Sequence, residues 1–323
     1  VPVVDLSVDE LVDYAGRNPK PDDFDAYWSD ALAELDATPA DVELLPATFI
    51  CRAAEAYDLW FSGVRGARVH AKVLIPRGVA NAPGLVAFHG YSQNSGDWSQ
   101  RLAFASEGFV VASMDVRGQG GQSTDPGGHK GTTFYGHIVR GATDAPANLL
   151  YRHIYLDCVR LVQTVASLPQ VDATRICAIG ASQGGGLALA CAALEPSIVR
   201  VASQFPFLCD WKRVWELNLM NGAYDALRWH FRMFDPLHRQ EEEFFTTMGY
   251  IDVQHLAPRI EADVLMAVAL LDEICPPSTQ FAAYNKIRSS KTVEIFPDFG
   301  HEDLPMWADL SFEFFRAVRD AAS

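Results

Sequence analysis

Arg175-Ile176-Cys177-Ala178-Ile179-Gly180-Ala181-Ser182-Gln183-Gly184 is the stretch that decides the fold. A short apolar run ends on Gly180, and an apolar helical pattern then runs from Gln183 to Leu194. A continuous apolar strand of this kind belongs to a parallel sheet buried on both faces. The segment from Gly180 to Gly184 fits the G-x-S-x-G nucleophile elbow. Its flanking glycines permit a strand-to-helix turn that a bulky side chain would block. The turn pushes the Ser182 hydroxyl outward, and the helix that follows points its N-terminus at the same place. That arrangement favours a developing negative charge.

The pattern repeats on both sides of the elbow. Residues 69–75 alternate as a strand and stop at Pro76. Residues 84–88, 109–114 and 264–271 are further apolar runs, ending at His89-Gly90, Asp115 and Asp272. Residues 199–205 and 291–296 also read as strands. Helical spacing appears over 97–107 and 151–167. The alternation predicts an α/β doubly wound architecture, a mostly parallel twisted sheet with helices on both faces. Residues 1–323 are expected to form one such domain, with residues 1–65 as a helical N-terminal extension. In that extension Phe24, Tyr27, Trp28, Ala31, Leu32 and Leu35 share one helical face, with Asp22 or Asp23 as its cap. Residues 206–258 are rich in Trp, Phe and Leu and too long for a simple loop, so a helical cap insertion is expected. A last helix is expected over 303–321, with Trp307, Leu310, Phe314, Phe315 and Val318 on one face.

A serine hydroxyl needs a base, and in this fold the chain order is Ser, acid, His. His301 lies in a loop just past the last strand, where a base must stand to reach the elbow. His230, His238 and His255 fall in the cap and read as packing or surface residues. Asp272 ends the preceding strand and is the expected acid, which would hold the imidazole tautomer. Glu273 and Asp298 are its competitors. The oxyanion donors are expected to be the backbone N–H groups of Gln183 and Tyr91, with Gly90 allowing close approach. Arg117 is expected to tie loops together through a carboxylate, with Glu302 as its candidate partner. Gln119 stands in the same Asp115 to Gly120 turn as a further supporting residue. That turn is glycine-rich but has neither a Walker nor a dinucleotide spacing. His129, His137 and His153 are scattered without ligand spacing, so no metal is expected, and a Ser–His–Asp site requires no cofactor.

Composition narrows the partners. With 49% hydrophobic residues the chain can bury a sizeable core, which disfavours disorder. A net charge of −15 argues against nucleic acid and against an anionic membrane surface. No apolar stretch reaches the roughly 18 residues of a membrane span. The six cysteines contain no Cys-x-x-Cys pair, and Cys158, Cys177 and Cys191 sit among apolar residues as reduced core groups. Residues 1–9 lack a basic region followed by an apolar run, so no signal peptide is expected, and the location is read as cytoplasmic.

The motifs together resemble carbohydrate esterase family seven, the acetyl xylan esterases and cephalosporin C deacetylases. The markers are Arg117-Gly118-Gln119, Gly180-Ala181-Ser182-Gln183-Gly184 and His301-Glu302, in that order, joined by Asp272-Glu273-Ile274-Cys275-Pro276-Pro277. Ala181 stands where the family more often has glycine. The resemblance implies the α/β-hydrolase fold and a serine esterase that removes acetyl and other small acyl groups from sugars, xylo-oligosaccharides and cephalosporin C. It places the nucleophile at Ser182, the acid at Asp272, the base at His301 and the oxyanion donors at Tyr91 and Gln183. It also puts Trp98, with Tyr91, near the pocket entrance, and it implies a homo-oligomer, often a hexamer. Lipase-like or peptidase-like hydrolases share the fold. A catalytically dead binding module is disfavoured because Ser182, Asp272 and His301 are all present.

Overall fold

The computed structural model describes residues 4–127 and 136–320. His129 and the expected end of the last helix at Ala321 lie outside them. The strands are β1 (Glu43–Pro46), β2 (Ala54–Ser62), β3 (Arg68–Pro76), β4 (Ala82–Phe88), β5 (Val110–Met114), β6 (Val171–Ala181), β7 (Ile198–Gln204), β8 (Asp263–Ala269) and β9 (Lys291–Phe296). They form one sheet in the order β1-β2-β3-β5-β4-β6-β7-β8-β9. The pairs β1–β2, β2–β3 and β3–β5 are antiparallel, and the rest of the sheet is parallel.

Period-two alternation splits the strands between two cores. Val86 and Phe88 of β4 and Ile176 and Ala178 of β6 pack with the helices Phe24–Asp36, Leu150–Ala166 and Gln183–Leu194. Leu85 and Ala87 of β4 and Cys177 and Ile179 of β6 pack on the opposite face, against Leu102–Ser106 and Trp307–Asp320. Both faces are covered, which is why these strands read as continuous apolar runs. Helix Phe24–Asp36 buries Phe24, Trp28, Ala31 and Leu35 at the predicted spacing.

Four elements differ from the sequence reading. The N-terminal region is not helical throughout, because β1 and β2 extend the sheet there. In β2 the buried face changes midway: Ala54 and Ala56 belong to one core, Leu59 and Phe61 to the other. A single buried stripe is therefore missing from the sequence. The helical pattern over 97–107 resolves into a 3₁₀ turn, Trp98–Arg101, and a short helix, Leu102–Ser106. The strand expected over 264–271 stops at Ala269, so Asp272 sits in the following turn. The last helix starts at Trp307, after Pro305 and a Met306 backbone with φ of 68°. Residues 206–258 carry mostly short helices, among them Trp211–Leu217, Asp225–Phe234 and Glu241–Gly249.

Several buried histidines make the fold acid-sensitive. Burial lowers the pKa of His153 to about 3 and of His230 and His255 to about 4. His89 is lowered for the same reason. A depressed folded pKa gives stability that is present above the unfolded value, about 6.5, and lost as pH falls below it. His70 runs the other way, since Asp115 and Asp58 outweigh its burial and raise its pKa. The buried carboxyls of Asp157, Asp210 and Asp252, whose pKa burial raises, also oppose the four depressed histidines, so the histidine contribution is read as a difference. His230→Phe should lessen the fall in Tm between pH 7 and pH 4, measurable by calorimetry. A variant whose Tm fell as steeply as that of the parent would contradict the burial argument.

Candidate active site

The elbow is built by sterics. Ser182 has φ 57° and ψ −120°, a conformation rare for a residue with a side chain. A Cβ at Gly180 would lie 2.2 Å from the Gly184 backbone, and one at Gly184 would lie 2.1 Å from the Phe88 carbonyl oxygen. Only glycine fits at either position, so the helix Gln183–Leu194 can leave β6 at this angle. The Ser182 N–H donates to the Gln204 carbonyl on β7 at 2.9 Å, which ties the strained residue to the sheet.

Three sequence-predicted groups meet at the C-terminal edge of the sheet. His301 Nε2 lies 3.0 Å from Ser182 Oγ, and His301 Nδ1 lies 2.8 Å from Asp272 Oδ2. Asp272 is fully buried. Its Oδ1 also accepts the N–H groups of Ile274 and Cys275, both at 2.8 Å. With Nδ1–H donated to a carboxylate, Nε2 is left as the acceptor for the serine hydroxyl, a tautomer assigned from these partners. The Phe205 ring packs 4.4 Å from the imidazole centroid and limits its rotation. The Leu271 N–H donates to the Phe299 carbonyl at 2.9 Å, joining the loops that carry the acid and the histidine. Neither competitor is placed on the ring: the Glu273 carbonyl accepts from Asn221, and no bond joins Asp298 to His301. His230, His238 and His255 pack against aromatic rings away from this cluster.

Opposite the serine, the N–H groups of Tyr91 and Gln183 make no hydrogen bond among the described residues. Gln183 is the first residue of its helix and has no intrahelical acceptor. Its side chain clamps the two donors together. Gln183 Oε1 accepts from Gln119 Nε2 and from the Tyr151 hydroxyl, each at 2.6 Å. Gln183 Nε2 donates to Gln119 Oε1 at 3.1 Å, and that oxygen also accepts the Ser92 N–H at 2.8 Å. Ser92 directly follows Tyr91, so Gln119 bridges both sides of the hole.

Sequence reasoning missed the supports of this loop. His89 Nε2 accepts the Val116 N–H at 3.0 Å, and its Nδ1–H donates to the Gly90 carbonyl at 2.7 Å. Asp115 accepts the N–H groups of Ser95 and Gln122 and bonds His70 Nδ1 at 2.7 Å. Those hydrogen bonds outweigh burial and hold the Asp115 carboxyl well below its usual range. Tyr151 lay in an expected helix but carried no local signal for its hydroxyl.

One sequence expectation is corrected. Arg117 does not pair with Glu302. It is buried and forms a bidentate pair with Asp157 of helix Leu150–Ala166, at 2.6 and 2.5 Å. Glu302 is exposed and accepts the Gly300 N–H at 3.0 Å, shaping only its own loop. Trp98 lines a small recess with Lys72, Ser95 and Arg101. It stacks on Phe49 at 5.8 Å, with Lys72 Nζ 5.3 Å from its ring centroid. Tyr91 presents its ring to His137 and Phe207. Among the described residues, donor atoms of Asp272, Cys275 and His301 lie within 4.8 Å of one another, as a metal would need. Both His301 nitrogens are already engaged there, so a cation would have to break the Ser–His–Asp chain.

A mostly parallel sheet, an elbow serine and a histidine after the last strand define an α/β-hydrolase. Hydrolases of that superfamily include acylaminoacyl peptidases, which share only the fold at 16% identity and a TM-score of 0.59. The acetyl xylan esterase (AXE1) family matches residues 1–317, and the chain belongs to that family of carboxylic ester hydrolases. Acetyl xylan esterase 1 from Thermoanaerobacterium sp. superposes with a TM-score of 0.96 at 51% identity, covering 97% of this chain and 99% of that one. An acetyl xylan esterase from Paenibacillus sp. R4 has a TM-score of 0.92 at 37% identity, again covering 97% and 99%. Acetyl esterase Axe7A from Xylanibacter ruminicola is 29% identical over 294 residues, 89% of this chain. This chain spans 64% of the length of that curated relative. Among the described residues, no helix is long and apolar enough to cross a membrane.

Proposed function

We propose that this chain is a serine esterase that removes acetyl groups from xylo-oligosaccharides and other small acetylated sugars, with cephalosporin C as a further accepted ester. The observation that carries the reading is the continuous Ser182–His301–Asp272 hydrogen-bond chain, with the backbone N–H groups of Tyr91 and Gln183 unengaged among the described residues. His301 Nε2 takes the Ser182 proton as Oγ attacks the acetyl carbonyl carbon. The carbonyl electron pair moves onto oxygen, where the Tyr91 and Gln183 N–H groups stabilise the charge. Collapse breaks the bond to the sugar oxygen, which leaves with the proton from His301. Water then attacks the acetyl-serine while His301 takes its proton. The second collapse releases acetate and returns the proton to Ser182. Asp272 holds the imidazole tautomer and offsets its charge, staying ionised throughout.

In this reading the chain acts as one domain, with residues 1–65 as its extension and residues 206–258 as a cap over the site. The esterase works as a homo-oligomer, as the resemblance implies. Met233, Phe234 and Leu237 expose apolar surface on the cap and suit such a contact. We place it inside the cell, where its six free cysteines would stay reduced.

The test is kcat/KM across p-nitrophenyl acetate, butyrate and octanoate, followed by acetylated xylobiose. A steep fall after acetate is expected, whereas preference for octanoate would replace this reading with a lipase-like one. The clamp makes its own prediction. Gln119→Ala should lower kcat about tenfold with KM little changed, because Gln119 acts through the oxyanion donors and touches no substrate. A rise in KM at constant kcat would place Gln119 in substrate binding instead.

A further inference from the structure

A cavity of about 900 Å³ lies behind the oxyanion loop, on the sheet face opposite helix Gln183–Leu194. Its wall includes Gly90 and Gln93, but Ser182, His301 and Tyr91 do not line it. Its size is at the upper end for small-molecule sites, roughly 300–1,000 Å³. Three polar side chains converge on it without protein partners. Ser113 and Gln204 rise from β5 and β7 with only 5% and 8% exposure, and no hydrogen bond engages either side chain among the described residues. Arg101, in the 3₁₀ turn Trp98–Arg101, has a buried Nε without a hydrogen bond, and no carboxylate pairs with its guanidinium among the described residues. Arg101 as a whole is only partly buried, so its charge is open to a ligand from the cavity. The carboxylates at hand, Asp97 and Asp309, are exposed at the rim.

We propose that this cavity is a second, non-catalytic site for a sugar acid, with the ligand carboxylate on Arg101. Ser113 and Gln204 supply hydrogen bonds on the floor. Ring hydroxyls donate to Asp97 and Asp309 at the rim, while Trp307 and Phe312 flank the ring. The volume calls for a body larger than a bare carboxylate, and amide, acid and aromatic groups together suit a hydroxylated ring. The site shares a wall with the loop that carries Tyr91, so occupancy would bear on the geometry of that loop. The proposal does not depend on the esterase chemistry, since binding is read directly.

The experiment is isothermal titration of the Ser182→Ala chain with sodium glucuronate, xylose and sodium acetate as separate probes. Saturable glucuronate binding is expected, with acetate about tenfold or more weaker and xylose weaker still. Arg101→Met should weaken glucuronate about tenfold or more, with a Tm close to that of the parent because the guanidinium has no ion pair among the described residues. Gln204→Ala gives an independent test on a neutral side chain and should weaken glucuronate as well. The proposal is overturned if glucuronate does not saturate, if Arg101→Met binds it as tightly as the parent, or if xylose or acetate binds equally well.

Discussion

Ser182→Ala leaves the protein folded and lowers kcat for p-nitrophenyl acetate by a factor on the order of 10⁶. The hydroxyl lies 3.0 Å from His301 Nε2, and alanine keeps the backbone while removing it. The elbow strain lies in φ and ψ, which alanine shares, so Tm should move little. Residues that act as one unit are not additive, so Ser182→Ala combined with His301→Ala should cost little more than either change alone. Steady-state kinetics on the two single variants and the double variant read this directly. Costs that simply multiplied would mean that the serine and histidine act independently, and the hydrogen-bond chain would then lose its assigned role.

The second large effect is on stability. Arg117→Met should cost about 3–5 kcal/mol, the usual consequence of stranding one member of a buried ion pair. The Arg117 and Asp157 side chains are 1% and 0% exposed, so Asp157 would keep its desolvation cost with no cation. Arg117 also donates to the Val64 carbonyl at 3.3 Å, and a Cβ at Gly63 would fall 2.2 Å from Asp157 Oδ1. The pair therefore fastens the loop after β2 to helix Leu150–Ala166. Replacing both partners by apolar groups, Arg117→Met with Asp157→Leu, should recover most of the loss. Urea unfolding checks both statements. A single variant within about 0.5 kcal/mol of the parent would contradict the reading of this pair, since that is the range of ordinary surface changes. Arg117 also opens the turn that delivers Gln119 to the oxyanion loop, so the destabilised variant should lose kcat too.

The contrast between Arg117 and Ser182 explains what the sequence discloses. The elbow is legible because its constraint is local. Gly180 and Gly184 are forced by atoms within a few residues or by the adjacent strand, and the pattern carries that requirement. Asp272 and His301 are legible because each follows a strand end, and strand ends gather at one edge of a parallel sheet. The Arg117–Asp157 pair spans 40 residues, and nothing in helical spacing separates Asp157 from any other acid. The same holds for Tyr151, 32 residues from Gln183, and for His89, whose role is fixed by the Val116 N–H. Strand β2 was hidden because it serves both cores in turn. Arg101 left no trace at all, since what marks it is the lack of a partner.

The central claim is that chemistry passes through Ser182. The most direct measurement is stoichiometric labelling with diethyl p-nitrophenyl phosphate, followed by peptide mapping and residual activity. The account predicts that one equivalent per chain abolishes acetate release and that the phosphoryl group sits on Ser182. A label on Cys275 or any other residue in the inactivated protein, or esterase activity persisting with Ser182 fully labelled, would contradict it.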